Sequence, residues 1–126
     1  MNPILNSIRL MGILPVIAIH DAAKAVPLAQ ALKKGGLHCA EVTFRTPQAA
    51  NAIRAMSEAM PDMLVGAGTV LTAEQADIAL DAGAKFIVAP GLNPDVVRHC
   101  VGKGVPVLPG CSSPSCWPGD PPASSR

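Results

Sequence analysis

At 126 residues, with 49% hydrophobic and 15% charged residues, the chain has the size and composition of one packed domain rather than of a disordered segment. Its net charge of +1 gives no electrostatic reason to expect nucleic acid or an anionic membrane as a partner, and no apolar run approaches the ~20 residues of a membrane-spanning helix. The apolar stretch 11–19 is interrupted by Pro15 and preceded by Arg9 alone, so no signal peptide is predicted and a cytoplasmic location is expected.

Short apolar strands alternate with amphipathic helices along residues 14–110, after a helix predicted over residues 2–11 that would flank or plug the bottom of the sheet. The β-branched apolar runs predict five strands, at residues 14–19, 38–44, 63–65, 86–89 and 105–108. Polar residues that can begin a helix follow four of these strands, namely Asp21, Thr46, Thr72 and Asn93. Each of the four strands is therefore expected to lead through a short loop into a helix.

This alternation predicts an α/β fold in which parallel strands are joined by right-handed helical crossovers. A doubly wound sheet and a barrel both fit, but no Gly-x-Gly-x-x-Gly motif follows the first strand. A complete (β/α)8 barrel typically needs ~200 residues or more, whereas this chain supplies about four and a half βα units. We therefore expect an incomplete TIM (β/α)8 barrel over residues 1–110. Residues 111–126 are rich in Pro and Ser without periodicity, which predicts an irregular, disordered tail.

Polar side chains gather at two of the predicted strand ends. Residues 41–46 read Glu-Val-Thr-Phe-Arg-Thr, and residues 66–69 read Gly-Ala-Gly-Thr. The carboxyl ends of parallel barrel strands meet at one rim, where barrel enzymes carry their chemistry. Because side chains alternate along a strand, Glu41 and Arg45 are expected on the same face. The sequence thus predicts a carboxylate, a guanidinium and the hydroxyl of Thr69 at one rim.

Several segments resemble, in order and in spacing, the bacterial 2-keto-3-deoxy-6-phosphogluconate (KDPG) and 4-hydroxy-2-oxoglutarate (KHG) aldolase family. The segments that carry the resemblance are 15–17, 41–46, 65–70, 82–86, 89–91 and 105–110. The resemblance implies a homotrimer of (β/α)8 barrels that cleaves a 2-keto-3-deoxy sugar acid into pyruvate and an aldehyde. It also implies chemistry through a lysine Schiff base, with no cofactor.

The resemblance assigns a role to each polar residue at the predicted rim. The duties of a catalytic base and of holding the pyruvate carboxylate fall in the family on residues that match Glu41, Arg45 and Thr69, with Arg45 as the carboxylate clamp. Gly68 is expected to leave room for substrate beside the backbone, and Pro90 matches a residue of the same pocket. Burial near the barrel axis is expected to raise the pKa of Glu41 toward neutrality, which suits a base.

The Schiff-base lysine of the family lies on its sixth strand in a Lys-Phe-Phe-Pro-type motif, and this chain has no such motif. The lysines present are expected on helices or at the rim opposite Glu41; they are Lys24, Lys33, Lys34, Lys85 and Lys103. After residues 112–115 the sequence leaves the family pattern, which resembles a change of reading frame. Two functions stay open: an aldolase by descent, and a non-catalytic half-barrel remnant that self-associates through its open strand edges.

Each candidate residue also has a structural interpretation. Glu41 can be a structural carboxylate and Arg45 only its ion-pair partner, while Thr69 alone is more typical of a cap. Gly66 and Gly68 can be ordinary turn glycines of a barrel. A zinc site at His99, Cys100, Cys111 and Cys116 is not predicted, because these residues include no close Cys-x-x-Cys pair and two of them lie in or beside the irregular tail.

Overall fold

In the computed structural model, residues 2–111 form a five-stranded parallel sheet with helices, and these are the residues that the structure describes. The strands are β1 (Val16–Ile17), β2 (Cys39–Thr43), β3 (Leu64–Gly68), β4 (Ile87–Ala89) and β5 (Val107–Pro109). The helices are α1 (Pro3–Met11), α2 (Ala25–Lys34), α3 (Ala49–Ala59), α4 (Ala73–Asp81) and α5 (Pro94–Gly102), with a short 3₁₀ helix (Ala22–Lys24) before α2. The strands are neighbours in sequence order, so the predicted α/β fold and partial TIM barrel are confirmed.

The strand register divides the sheet into two faces. One row of neighbouring residues packs in the main hydrophobic core, and it consists of Ile17, Val42, Ala67, Ile87 and Val107. The opposite face carries the register pairs Glu41–Gly66 and Thr43–Gly68. Because side chains alternate along a strand, the polar residues of β2 point away from the helical layer. This arrangement confirms the predicted polar face.

The core between the sheet and the helices is built from small and aliphatic side chains. Helix α3 contributes Ala49, Ala52, Ile53 and Met56, each at most 1% exposed. These positions recur every three to four residues, so one stripe of the helix is buried. Full burial of a large aliphatic side chain is worth roughly 1.5–3 kcal/mol. The packing of this stripe fixes the positions of the strands that it covers.

Three of the four predicted helix starts are confirmed by hydrogen bonds, and one is wrong. The side chains of Asp21, Thr72 and Asn93 each accept a hydrogen bond from a backbone N–H in the first turn of the following helix. Thr46 does not cap α3, which begins at Ala49. Its hydroxyl instead donates to the carbonyl oxygen of Ile19, which lies beyond the end of β1. Thr46 therefore ties two loops of the rim together.

All five strands differ in length from the predicted ranges, and the differences at β1 and β3 bear on the site. Strand β1 is only two residues long, because Val16 and Ile17 alone pair with β2, its single partner strand. Strand β3 runs through Gly66 to Gly68, whereas the sequence places the strand end at residue 65. All five residues of β3 pair with β2, and the glycine run is therefore part of the sheet rather than of a loop.

Helix α1 lies at the amino ends of the strands, as predicted. Its residues Pro3, Ile4, Ser7 and Met11 line a cavity of about 350 Å³ together with residues at the start of β2 and β3. No helix within residues 2–111 is both long and apolar enough to cross a membrane. The tail predicted from residue 111 onward lies, apart from Cys111, outside the described residues.

Candidate active site

Glu41 is a carboxylate buried in the middle of β2. Only 7% of the residue is exposed, and the register places it between Val16 of β1 and Gly66 of β3. Burial raises the pKa of Glu41, and the nearby charge of Arg45 opposes this rise. The direction of the shift agrees with the sequence prediction. A carboxyl group with a raised pKa exchanges protons more readily near neutral pH than an exposed one does.

Arg45 and Thr69 meet above the strand ends. Arg45 follows the end of β2 and Thr69 follows the end of β3, and Arg45 Nε donates a hydrogen bond to Thr69 Oγ1 over 3.2 Å. Among residues 2–111 this is the one hydrogen bond of the Arg45 side chain, so its two Nη atoms have no protein acceptor there. An arginine held by Nε can present both Nη atoms to a carboxylate.

Thr69 has a strained backbone. Its φ of +55° is the only positive φ of a non-glycine residue in the described part of the chain. Hydrogen bonds on both sides hold this conformation: Phe44 N donates to Gly68 O over 2.8 Å, and Val70 N donates to Val88 O over 3.2 Å. A left-handed conformation is unusual for a β-branched residue, and such strain clusters at functional sites.

The two glycines of β3 make room for side chains of the neighbouring strands. A Cβ on Gly68 would lie 1.8 Å from Glu41 Oε1, and a Cβ on Gly66 would lie 2.3 Å from ring atoms of Phe86. The sequence suggested open space for substrate beside the backbone. In the structure, the space beside these glycines is filled by Glu41 and Phe86. The place of Gly68 in a substrate pocket stays a prediction.

Pro90 lies at the same rim but apart from the cluster. It follows β4 and lines a cavity of about 380 Å³ with Val70, Leu71, Leu92 and Asn93. Within residues 2–111, no hydrogen bond or ion pair joins Pro90 to Glu41, Arg45 or Thr69. The structure thus brings three of the five candidate residues into direct neighbourhood with Gly68 beneath them, and leaves Pro90 beside them.

The lysines lie in three different places. Lys33 forms an ion pair with Asp62, and Lys103 donates to Asp77 on the helical layer. Lys85 lines the cavity beneath α1, at the amino ends of the strands. Lys24 lies on a helix, as predicted, but it is the last residue of the 3₁₀ helix after β1 and so lies on the carboxyl-end side of the sheet, where it lines a cavity of about 360 Å³.

Thr43 lies between Glu41 and Arg45 in the strand alternation and was therefore expected on the polar face, whereas sequence reasoning missed Phe86. Thr43 is 2% exposed and donates its hydroxyl to Ile17 O over 3.3 Å, which ties β2 to β1 beneath the site. Phe86 is fully buried and covers Gly66. The available signal was the Gly-x-Gly spacing in β3, since two bare positions on one face of a strand require large side chains from its neighbours.

A family model for KDPG and KHG aldolases matches residues 4–117. The 2-dehydro-3-deoxy-phosphogluconate aldolase of Treponema pallidum is 51% identical over 113 residues, which are 90% of this chain and 54% of that relative. The KHG/KDPG aldolase of Escherichia coli K12 is 41% identical over 103 residues, or 82% of this chain and 48% of the relative. The chain thus spans about half the length of the curated relatives that it matches.

Solved structures show the same similarity. The KDPG aldolase of Zymomonas mobilis ZM4, solved with 3-phosphoglycerate, superimposes with a TM-score of 0.85 at 45% identity and covers 92% of this chain and 55% of its own. The KDPG aldolase of Legionella pneumophila, solved with pyruvate captured as a covalent carbinolamine, gives a TM-score of 0.78 at 41% identity, with coverages of 81% and 50%. The chain belongs to the KDPG and KHG aldolase family.

Proposed function

We propose that this chain carries the acid–base and carboxylate-binding part of a class I aldolase site. The reaction is cleavage of 2-dehydro-3-deoxy-6-phosphogluconate to pyruvate and glyceraldehyde 3-phosphate, of 4-hydroxy-2-oxoglutarate to pyruvate and glyoxylate, or of both. The observation that carries the proposal is the grouping of buried Glu41 with Arg45, whose Nε is bound to Thr69. In this grouping a proton acceptor and an anion receptor are fixed at one strand rim.

Glu41 would act as the proton carrier of this reaction. A lysine amine first condenses with the keto carbon of the substrate and releases water, which gives a protonated imine. Glu41 then takes the proton of the C4 hydroxyl as the C3–C4 bond breaks, and the bonding electron pair moves toward the imine nitrogen. The aldehyde leaves, and Glu41 returns a proton to C3 of the remaining enamine before water releases pyruvate.

Arg45 and Thr69 would hold the carboxylate next to the reacting keto group. Arg45 offers two Nη atoms in a planar fork, and the geometry of that fork matches a carboxylate. A substrate held there has its C3 and C4 fixed relative to Glu41. Positioning of this kind supplies a large part of the rate enhancement in bimolecular reactions.

The 126-residue chain is expected to bind the keto acid without forming the imine. Four of its lysines lie on the helical side or at the opposite rim, and Lys24 is the one that the structure places on the carboxyl-end side. Lys24 belongs to a different strand end from Arg45 and lines a separate cavity. The missing nucleophile is therefore the expected reason for inactivity of the chain by itself.

The test of this point is intact-mass analysis after incubation with pyruvate and borohydride. We expect no adduct on protein whose folding has been verified by the dispersion of its amide NMR spectrum. An adduct that disappears in Lys24→Arg would identify Lys24 as an imine-forming residue and overturn the inactivity proposal. An adduct that survives in Lys24→Arg would contradict it equally, at another lysine.

Carboxylate binding is tested separately by NMR titration with pyruvate. Amide resonances of Gly68 and Thr69 are expected to shift in the wild-type chain and to stay unchanged in Arg45→Gln. Arg98→Gln is the matched control, because Arg98 lies on α5 in an exposed pair with Asp95. Equal shifts in wild type and Arg45→Gln would contradict the assignment of Arg45 as the clamp.

A second candidate function is a non-catalytic remnant that associates through open strand edges. Among the described residues β1 and β5 each have one strand neighbour, and Val16 of β1 is 60% exposed. Two other large apolar side chains, one on α1 and one just after it, are also exposed, Leu10 at 73% and Ile13 at 63%. Edges of this kind pair with other chains. We propose self-association through them here, and a homotrimer for the full-length family member.

Sedimentation velocity tests this second candidate. We expect the wild-type chain to sediment as oligomers, and Val16→Lys to shift the distribution toward monomer by placing a charge on the β1 edge. Val101→Lys is the control, because Val101 is similarly exposed, at 63%, but lies on α5. A monodisperse monomer of the wild-type chain would contradict association through the edges.

A further inference from the structure

Strand β3 carries glycines at the two positions that face the candidate site. Gly66 and Gly68 both point to the polar face of the sheet, because Glu41 and Thr43 are their register partners. Each glycine is covered by a side chain from a neighbouring strand region, Gly68 by Glu41 and Gly66 by Phe86. The carboxylate and the aromatic ring therefore lie over successive positions of one strand.

Phe86 belongs to the same face as Glu41. The next residue, Ile87, packs in the core under the helices, so alternation directs Phe86 to the opposite face. The ring is fully buried. The carbonyl oxygen of Phe86 accepts a hydrogen bond from Ala67 N over 3.0 Å, and this bond fixes the backbone of Phe86 beside β3.

The distances of a parallel sheet place the ring next to the carboxylate. Gly66 is one strand spacing, roughly 4.8 Å, from its register partner Glu41. Gly66 precedes Gly68 by two residues, or roughly 6.6 Å along the strand. Because the Glu41 carboxylate leans over Gly68 and the ring lies over Gly66, the ring lies on the side of the carboxylate toward the bottom of the sheet.

We propose that Phe86 is a positioning residue for Glu41. The ring of Phe86 occupies the space that a side chain at Gly66 would fill, and it forms an apolar floor beneath the Glu41 carboxylate. This floor holds the carboxylate over Gly68 and keeps water from beneath it. The role of the carboxylate in catalysis rests on the proposed function, whereas the floor itself is a matter of packing. Arg45 acts on the other side of the same group. The carboxylate thus lies between an apolar surface and a cation.

The direction of the shift in the pKa of Glu41 is consistent with this arrangement. Burial is the larger influence and raises the pKa, while the Arg45 charge lowers it. Phe86 is the large apolar side chain that the glycine contacts place on this face, so it is the main candidate for the group that excludes water. Removal of ring volume is expected to admit water and to leave the influence of Arg45 dominant.

The experiment is a carbon-13 NMR titration of the Glu41 carboxyl group in Phe86→Leu. We expect the pKa of Glu41 to fall relative to the wild-type chain while the amide spectrum stays dispersed. Phe44→Leu is the matched control, because Phe44 is the only other phenylalanine and packs against the core on the helical side. An unchanged pKa of Glu41 in folded Phe86→Leu would overturn the proposal.

A second measurement avoids any loss of folding in the variant. The wild-type chain is labelled with 4-fluorophenylalanine, which gives one fluorine signal for each of its two phenylalanines. The Phe86 signal is expected to move with the ionisation of Glu41 and to lose this step in Glu41→Gln, whereas the Phe44 signal stays constant. A Phe86 signal that does not follow Glu41 would contradict contact between the ring and the carboxylate.

Neither readout involves a substrate. If the Glu41 pKa depends on Phe86 but pyruvate does not shift the amides of Gly68 and Thr69, then the proposed function fails and the positioning role stands. If pyruvate binds but Phe86→Leu leaves the titration of Glu41 unchanged, then the positioning role fails and the proposed function stands. The two proposals are therefore tested independently.

Discussion

Arg45 reaches across from the end of β2 to the end of β3 and donates a hydrogen bond to the hydroxyl of Thr69 over 3.2 Å. Neither residue lies in a regular strand, yet both are fixed. Thr69 is held by the backbone hydrogen bonds of its two neighbours, and Arg45 is held by Thr69. The anion-binding end of the site is therefore only as rigid as the unusual backbone of Thr69.

Replacement of Thr69 separates its hydrogen bond from its strain. Thr69→Ala loses the bond and keeps a Cβ in the left-handed region, whereas Thr69→Gly loses both. A left-handed backbone costs an L-residue roughly 1–2 kcal/mol, and glycine avoids this cost. Part of the gain is offset because the unfolded chain has more conformational freedom with glycine. We expect the free energy of unfolding of Thr69→Gly to exceed that of Thr69→Ala by about 1 kcal/mol in urea titrations. Equal stability of the two variants would contradict the strain.

Gly68→Ala is expected to destabilise the fold, because the added Cβ would lie 1.8 Å from Glu41 Oε1. Overpacking of a buried site typically costs about 1–3 kcal/mol. Gly91→Ala is the control, since a Cβ there meets no atom within 4 Å. Urea unfolding should show the loss for Gly68→Ala alone. A double variant with Glu41→Ala should recover most of the stability, and failure to recover would show that the clash lies elsewhere.

Glu41 is expected to make the fold less stable as pH rises. A carboxyl group whose pKa is raised in the folded state contributes stability below its unfolded pKa and loses it as pH rises through the folded pKa. Glu41→Gln should therefore unfold at a higher urea concentration than wild type at neutral pH, and the difference should shrink toward pH ~4, the ordinary titration range of glutamate. A difference that is constant with pH would rule out ionisation as its cause.

Asp77 connects α4 to α5 and has the opposite pH dependence. Its carboxylate accepts from Lys103 Nζ over 2.6 Å and lies 2.7 Å from His99 Nε2. The hydrogen bond from Lys103, and next that from His99, lowers the pKa of Asp77, so the stabilisation is lost as pH falls through the folded pKa. The same bond raises the pKa of Lys103, so the stabilisation is also lost as pH rises through that pKa.

Asp77→Asn should therefore be less stable than wild type at intermediate pH and approach it at both extremes. Thermal unfolding measured from acid to alkali checks this profile. Asp95→Asn is the control, because Asp95 pairs with Arg98 at the exposed surface of a single helix. A stability difference that persists unchanged into acid would contradict a role for the Asp77 charge.

The order of elements could be predicted because its signals are local. Asp21, Thr72 and Asn93 cap helices through backbone groups two or three residues away, and these spacings are visible in the sequence. Thr46 was wrongly predicted as a cap because its hydroxyl bonds to Ile19, 27 residues earlier in the chain. A local pattern cannot show that partner.

Local signals also explain which residues of the candidate site could be predicted. Alternation along one strand and the resemblance to the family together identified Glu41 and Arg45. Phe86 was missed, because its contact with Gly66 depends on how far two strands approach each other. The positive φ of Thr69 was also missed, since a β-branched residue gives no sequence signal for a left-handed backbone.

The bare inner positions of β3 restrict how this sequence can vary. A larger residue at Gly66 can be accommodated only if Phe86 becomes smaller at the same time, so substitutions at these two positions should occur as compensating pairs. Gly68 has no such partner, because the side chain that fills its space is Glu41. A shorter acidic side chain at position 41 would move the carboxylate away from its place over Gly68. In a saturation library selected for pyruvate binding, Gly66 would thus be rescued by second-site changes, whereas Gly68 would remain glycine in every survivor.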